Sequence, residues 1–364
     1  MVERIQTKGN IGEWSELYAL ALLLINGGGN AADEKQEPIQ DLYFKVLQVI
    51  VSAQDATSEM LYEISKEKIT IFMNSNLLNI VSTREIRNSV DIFYKDLISG
   101  AGKKTFALTS GQALMTLLHK TTISAGSGER ATDLQLVLED PDTLGPTPRF
   151  GFSIKSQLGS AATLLNSSGS TNIVYEIVKT SSNGNSKIPE ISNSPSSHHQ
   201  NLKAIYAAGY KLKFSKYQNN IFNQNLSYID SLMPERLANV LLESYLCGES
   251  RNFSNISERV FPVDSTDSTQ PIFKLKEFLG AVSMGLRPSK IWKGNPSKFK
   301  GLLVIKEDGS MIFYYLNSRL NFEEYLYRNV KFDTPSTSRH KYGFVYSEGE
   351  CNYIKLNLQI RFKK

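Results

Sequence analysis

Two apolar runs on either side of a turn-rich break constrain this chain more than any other feature. "TDLQLVLED", residues 132–140, has the length and composition of a strand, and "FGFSIKSQL", residues 150–158, reads as a second. Between them, "EDPDTLGPTPR" holds three prolines and a glycine, which turn a chain rather than extend an element. The spacing predicts a hairpin. Its second run carries Lys155 among apolar residues, where an unpaired lysine is costly. Asp133 opens the first run. If the strands pair, the two groups meet at one edge of a sheet. A carboxylate there can hold a hard divalent cation through oxygen. A lysine there can orient water or offset charge on a reacting phosphate. That layout suits a metal-dependent phosphodiesterase, although an aspartate and a lysine at strand ends serve structural roles just as readily.

Upstream, "IGEWSELYALALLLINGGG" predicts a helix from Gly12 to about Asn26, stopped by three glycines. Trp14, Leu17, Ala21 and Leu24 form its buried stripe. Glu13 lies nearest the helix start and reads as an acid matching the dipole. Glu16 borders the apolar stripe, so it either faces the end of the sheet or serves the dipole as well.

Residues 38–125 mix helical and strand patterns and resist assignment. "TNIVYEIVKT", residues 171–180, is a third strand candidate. Residues 181–200 are rich in Ser and Asn and read as a surface loop, with His198 and His199 solvated in it. "IDSLMPERLANVLLESYL", residues 229–246, predicts a helix with Pro234 in its first turn. "GLLVIKEDGSMIFYYL" predicts a hairpin around Asp308-Gly309. The fold class is α/β in the broad sense, α+β by segregation of its elements. The expected division is a core over residues 1–180, a loop over 181–201, and a helical segment with a strand-rich C-terminal region over 202–364.

Charge adds a partner class. The net charge of +5 is mild, but the basic groups cluster. Residues 281–305 carry Arg287, Lys290, Lys293, Lys298 and Lys300 with no acid; residues 203–219 carry Lys203, Lys211, Lys213 and Lys216 with none. Residues 331–364 hold seven basic groups against three acids. Basic stretches interleaved with aromatics suit a polyanion, unless they are solvated faces that never meet in space. Two cysteines without metal-like spacing, and no secretory leader, fit a reduced cytoplasmic protein. The longest apolar run, "ALALLLI", is too short to span a bilayer. Four histidines with no H-x-K pair and no His/Cys cluster argue against phospholipase-D-type and ββα-metal nucleases. The missing phosphate-binding loop G-x-x-x-x-G-K-[ST] argues against an NTP-driven motor.

Four blocks, "GNIGEWSELYALALLL", "GFSIKSQLGSAATLLNSSGSTNIVYEI", "FLGAVSMGLRPSKIW" and "STSRHKYGFVY…YIKLNLQIRF", resemble those of HpaII-type type II restriction endonucleases, in the same order and across nearly the whole chain. The resemblance implies a Mg²⁺-dependent endonuclease of the PD-(D/E)xK type, with a mixed sheet, flanking helices and a metal at one sheet edge. It implies duplex DNA as substrate, a short palindrome (CCGG) as target, and a homodimer matching that symmetry. A cognate methyltransferase would act on the same site without a stable complex.

Carried onto this chain, Asp133 is the aspartate of the pattern and Lys155 its lysine. Ser153 stands where a second acid is expected, which leaves a catalytically inactive DNA-binding protein on the same scaffold as the alternative. The second metal carboxylate is assigned to Glu16, with Glu176 behind it; Gln157 completes the site as a neutral ligand or water holder. For base readout, "KLNLQIRF" predicts a strand that turns Asn357, Gln359 and Arg361 toward a groove. Arg339, Arg287 and Lys290 are further DNA contacts, equally suited to phosphate.

Overall fold

The structure, a computed structural model, describes residues 7–52, 58–100, 102–123, 132–180, 198–247, 251–262, 269–294, 299–315 and 319–363. The chain divides into two compact units. One comprises Met1–Ala162 and Pro296–Tyr325, the other Thr163–Asn295 and Leu326–Lys363. This differs from the sequence-based division at residue 180. The reason is pairing. The strand Phe299–Ile305 returns to lie parallel to Phe150–Ser156, and a parallel pair needs a long crossover between its strands. The second unit's residues 163–295 occupy that crossover.

In the first unit, the predicted opening helix spans Ile11–Asn26. Asn10 caps it, its Oδ1 accepting from Glu13 N at 3.0 Å while Glu13 Oε2 accepts from Asn10 N at 2.7 Å. Glu13 is thus spent on a capping box. Gly27 ends the helix at φ 66° and donates to Leu23 O, a left-handed close that a side chain resists. Trp14, Leu17, Ala21 and Leu24 are buried as expected. So is nearly everything between them, because the helix Thr83–Ser99 covers the far side. Trp14 stands edge-on to Phe93 with ring centroids 5.9 Å apart, and its indole N–H reaches Phe106 O at 3.1 Å. A buried ring of this size contributes about 1.5–3 kcal/mol.

The helix packs on a nine-stranded mixed sheet. Its order is Gly28–Ala32, Met311–Tyr315, Phe299–Ile305, Phe150–Ser156, Leu134–Leu138, Pro38–Ser52, Glu59–Ile64, Lys68–Met73, Asn76–Ser82. Both predicted hairpins are present: Leu134–Leu138 with Phe150–Ser156, and Phe299–Ile305 with Met311–Tyr315. The stretch that resisted assignment supplies the four strands from Pro38 to Ser82 and the helices Thr83–Ser99 and Thr109–Leu117. The mixed α+β architecture is the expected nuclease-like one. Among the described residues, no helix is long and apolar enough to cross a membrane.

In the second unit, an antiparallel four-stranded sheet runs in the order Tyr210–Tyr217, Asn172–Lys179, Cys351–Asn357, Val345–Glu348. A smaller sheet joins Thr163–Leu165, Ile360–Phe362 and Val330–Phe332. The predicted helix appears as Met233–Leu246 with its proline at the start. Of the predicted loop, residues 181–197 lie outside the described residues. His198 and His199 are not loop residues: they open the helix His198–Ala207.

The His198 ring packs against Tyr245 and Tyr342, with centroids 5.9 and 6.0 Å away. Burial pushes its pKa down to about 4, with help from His199 and the Arg251 cation. The unfolded chain therefore binds more protons between the ordinary histidine value near 6.5 and pH 4, and stability falls as pH drops through that window. We expect the melting temperature to decline from pH 7 to pH 4.5 in wild type. His198→Phe, which keeps a ring but cannot titrate, should show a shallower decline. Parallel slopes for the two proteins would remove His198 as a cause.

Candidate active site

Asp133 sits just ahead of the Leu134–Leu138 strand, against the lysine strand Phe150–Ser156. Its N–H donates to Phe152 O at 2.9 Å, and its Oδ2 accepts from Ile154 N at 2.6 Å. The paired register ends at Leu134 opposite Phe152, while the lysine strand runs on to Ser156. The carboxylate therefore takes the hydrogen bond that a further strand residue would have accepted. This holds it in the plane of the sheet where the two strands part, one residue from Lys155. On the other side, Lys155 is in parallel register with Val304.

The lysine strand has two faces. Phe152 and Ile154 are buried in the core with the first helix, so Ser153 and Lys155 turn the other way. Ser153 is buried, and Lys155 is only partly so. The expected cost of a buried lysine is accordingly small here. Gln157 follows the strand, its N–H on Ile305 O at 2.9 Å and its Nε2 on Gln36 Oε1 at 2.8 Å. Its amide is thus engaged by the turn that precedes Pro38.

Ser15 Oγ donates to Ser156 Oγ at 2.8 Å, which sets the first turns of the opening helix at the end of the sheet where Asp133 lies. Glu16, the next residue, is partly buried. The structure thus brings Asp133, Lys155, Gln157 and the helix turn bearing Glu16 to one end of one sheet, with Lys155 on the face turned away from that helix. It adds a residue that sequence reasoning missed. Lys120 is only 8% exposed and donates from Nζ to Thr122 O at 2.8 Å. Burial pushes its amine down to about 8, while the charge of Glu16 acts in the opposite direction. The buried lysine beside an acid is therefore Lys120. "LHKTT" gives no sign of it, because no apolar run surrounds it.

The remaining candidates lie in the second unit. Glu176 is on the Asn172–Lys179 strand, in register with Lys213 and Tyr353. The predicted readout strand needs correction. It breaks at Leu358-Gln359, where the chain passes from the four-stranded to the three-stranded sheet, so the alternation is not continuous. Asn357 is fully buried, with Nδ2 on Ser168 O and on Asn172 Oδ1, both at 2.7 Å. Gln359 is buried as well. Neither side chain faces outward as the alternation required. Arg361 is partly exposed, with Nε 2.7 Å from Asp333 Oδ2.

Arg339 is exposed in the one-turn helix Thr337–His340. Arg287 and Lys290 are exposed on the loop that follows the helix Thr269–Ser283; Lys298 lies outside the described residues. Arg287 Nη1 reaches the carbonyls of Leu286 and Val282 at 3.2 and 3.4 Å, closing the helix end. Asn225 fixes this loop. It is fully buried, donates to Lys290 O at 2.8 Å and Arg287 O at 3.1 Å, and accepts from Trp292 N at 2.9 Å. Its role was hidden because an asparagine inside a helical pattern carries no mark of what it will hold.

Among the described residues, no three His, Cys, Asp or Glu side chains converge as a metal cage. Mg²⁺ asks for less. It commonly takes one or two carboxylates, several waters and substrate phosphate oxygens. The hard oxygens of Asp133 and Glu16 fit that donor set.

The HpaII restriction endonuclease family profile matches residues 10–362 of the chain. The chain is 34% identical to the type II restriction enzyme HpaII of Haemophilus parainfluenzae over 360 residues, covering 97% of this chain and 98% of that one. No solved structure matches it.

Proposed function

Because this chain belongs to the HpaII restriction endonuclease family, and is thus a type II site-specific deoxyribonuclease that binds and cleaves double-stranded DNA, we propose that it cuts within CCGG using Asp133, Glu16 and Lys155. The observation that carries the site is the Asp133 carboxylate, fixed by Ile154 N–H where the strands part, one residue from Lys155. Type II restriction endonucleases generally use a divalent metal. Mg²⁺ is the ion this oxygen set suits, held by Asp133 and Glu16. Once bound, it would neutralise phosphate charge and acidify a water.

The chain's own residues do the rest. The Ile154 N–H keeps Asp133 Oδ2 in place, so Oδ1 is the oxygen that would be left to hold a metal. Lys155 holds the attacking water and offsets charge on the phosphate as it forms. Gln157, steadied by Gln36, lines the same end as a neutral group. Arg361, Arg339, Arg287 and Lys290 are the DNA contacts of this reading, with Asn225 presenting the last two. A homodimer would set two such sites across a palindrome, and a methyltransferase of the same specificity would protect the host in the cytoplasm.

Plasmid DNA incubated with and without Mg²⁺ tests this. Discrete fragments are expected only with the metal, and run-off sequencing of their ends should place every cut within CCGG. Cuts at another sequence would overturn the target, and a gel shift without cutting would overturn the active site.

A further inference from the structure

The four-stranded sheet of the second unit packs one face into the core. Ile173, Tyr175 and Ile177, Leu212, Ile354 and Leu356 are all buried. The registers assign the other face row by row. Lys216, Val174 and Lys355 form one row, in which Val174 is buried; Lys213, Glu176, Tyr353 and Tyr346 the next; Lys211, Val178, Cys351 and Glu348 the last. Val178 and Cys351 fall in one row by continuing the strand register two residues beyond Glu176 and Tyr353. Basic stretches that lie about 140 residues apart in the sequence thus meet on one surface.

From this we infer that the outer face of this sheet is a contact surface for the sugar–phosphate backbone of duplex DNA. The inference rests on the nuclease reading and joins two of its basic stretches into one surface, apart from the DNA contacts named for that reading.

The charge pattern fits that occupant. Lys211, Lys213 and Lys216 are exposed along one strand, and Lys355 stands two strands away. Two residues of strand advance about 6.6 Å, so Lys211 and Lys213 offer successive charges to a run of phosphates. Among the described residues neither of them is in an ion pair. Lys216 lies 3.5 Å from Glu348, but both side chains are more than half exposed, at 57% and 55%. A pair that open is worth little in water and yields readily to phosphate. Lysines on an edge strand also deter sheet-to-sheet aggregation. That explanation covers Lys211, Lys213 and Lys216 but not Lys355, which is on an interior strand. Lys355 lies 5.0 Å over the ring of Tyr346, and the Tyr346 and Tyr353 centroids are 5.8 Å apart. The two rings, tilted to each other by 31°, give the face a partly apolar patch between its cations. Glu176 and Glu348 lower its net charge, so it would hold a backbone without gripping it irreversibly.

The test compares two double variants of the full chain. Lys211→Gln with Lys213→Gln removes two charges from the face; Lys66→Gln with Lys68→Gln removes two exposed charges from the first unit. Binding to a CCGG duplex and to a random duplex is measured in Ca²⁺ across a salt series. The face variant should bind both duplexes at least tenfold more weakly at low salt, with the log–log salt slope reduced by about two. The control should stay within twofold of wild type. In wild type, bound duplex should also shield Lys211 and Lys213 from amine acetylation, a readout that needs no variant. Equal loss in both variants, no loss in the face variant, or unshielded lysines would each overturn the assignment. If wild type still cuts DNA in those cases, the nuclease reading survives; a wild type that binds no duplex ends both.

Discussion

Asp133→Asn and Lys155→Ala are each expected to lower single-turnover cleavage by about a thousandfold or more while cognate binding stays within a few-fold of wild type. The magnitude follows from what each group supplies. Electrostatic and proton-transfer groups acting on the transition state contribute about 10²–10⁴ in rate, and binding is spared because neither group is needed to hold DNA in the ground state. Asparagine is the right replacement for Asp133. The aspartate accepts the Ile154 N–H at 2.6 Å, so alanine would orphan a backbone donor and confound chemistry with stability. Asparagine retains an acceptor there and loses only the charge. Lys155 is partly exposed, so its truncation leaves no buried cavity. Cleavage is followed on a plasmid with one target, and binding on a labelled duplex in Ca²⁺. Normal cutting by well-folded Lys155→Ala would remove the lysine from the site, and loss of binding in step with cutting would make both residues DNA contacts.

Much of the first unit was legible because local signals and tertiary packing agree there. Glycines close the first helix, and the proline-rich break between the two strands is a hairpin connection. The Asp133–Lys155 arrangement followed from that hairpin alone. What stayed hidden depends on contacts distant in sequence. Lys120 is buried and feels the charge of Glu16, which lies far back in the chain. Asn225 acts through a loop more than 60 residues later. The C-terminal strand misled for a related reason: "KLNLQIRF" alternates perfectly, but the chain changes sheets at Leu358-Gln359, and a period of two cannot reveal a change of partner. Asn357 looked outward by parity. It is buried because Ser168 and Asn172 satisfy its amide.

Glu16→Gln is expected to reduce cleavage by about a hundredfold or more, and Glu176→Gln by less than threefold. The two substitutions remove the same charge and keep nearly the same shape, so the difference isolates position. Glu16 follows Ser15, whose hydroxyl is 2.8 Å from Ser156 at the end of the lysine strand, so the helix turn that bears it lies at the same sheet end as Asp133. Glu176 belongs to the other unit, in the row between Lys213 and Tyr353. Losing Glu16 also takes a negative charge from beside Lys120, whose amine is already held near 8 by burial. Without Glu16 that amine should fall further, so Lys120 would not substitute as a cation near neutral pH. A lost metal carboxylate should weaken the dependence on Mg²⁺ itself. Single-turnover rates at several Mg²⁺ concentrations therefore separate the cases: the Glu16→Gln curve should shift to higher Mg²⁺, and the Glu176→Gln curve should overlie wild type. The opposite pattern, with Mg²⁺ rescuing Glu176→Gln and leaving Glu16→Gln unshifted, would transfer the second carboxylate to the strand and end the role given to the helix.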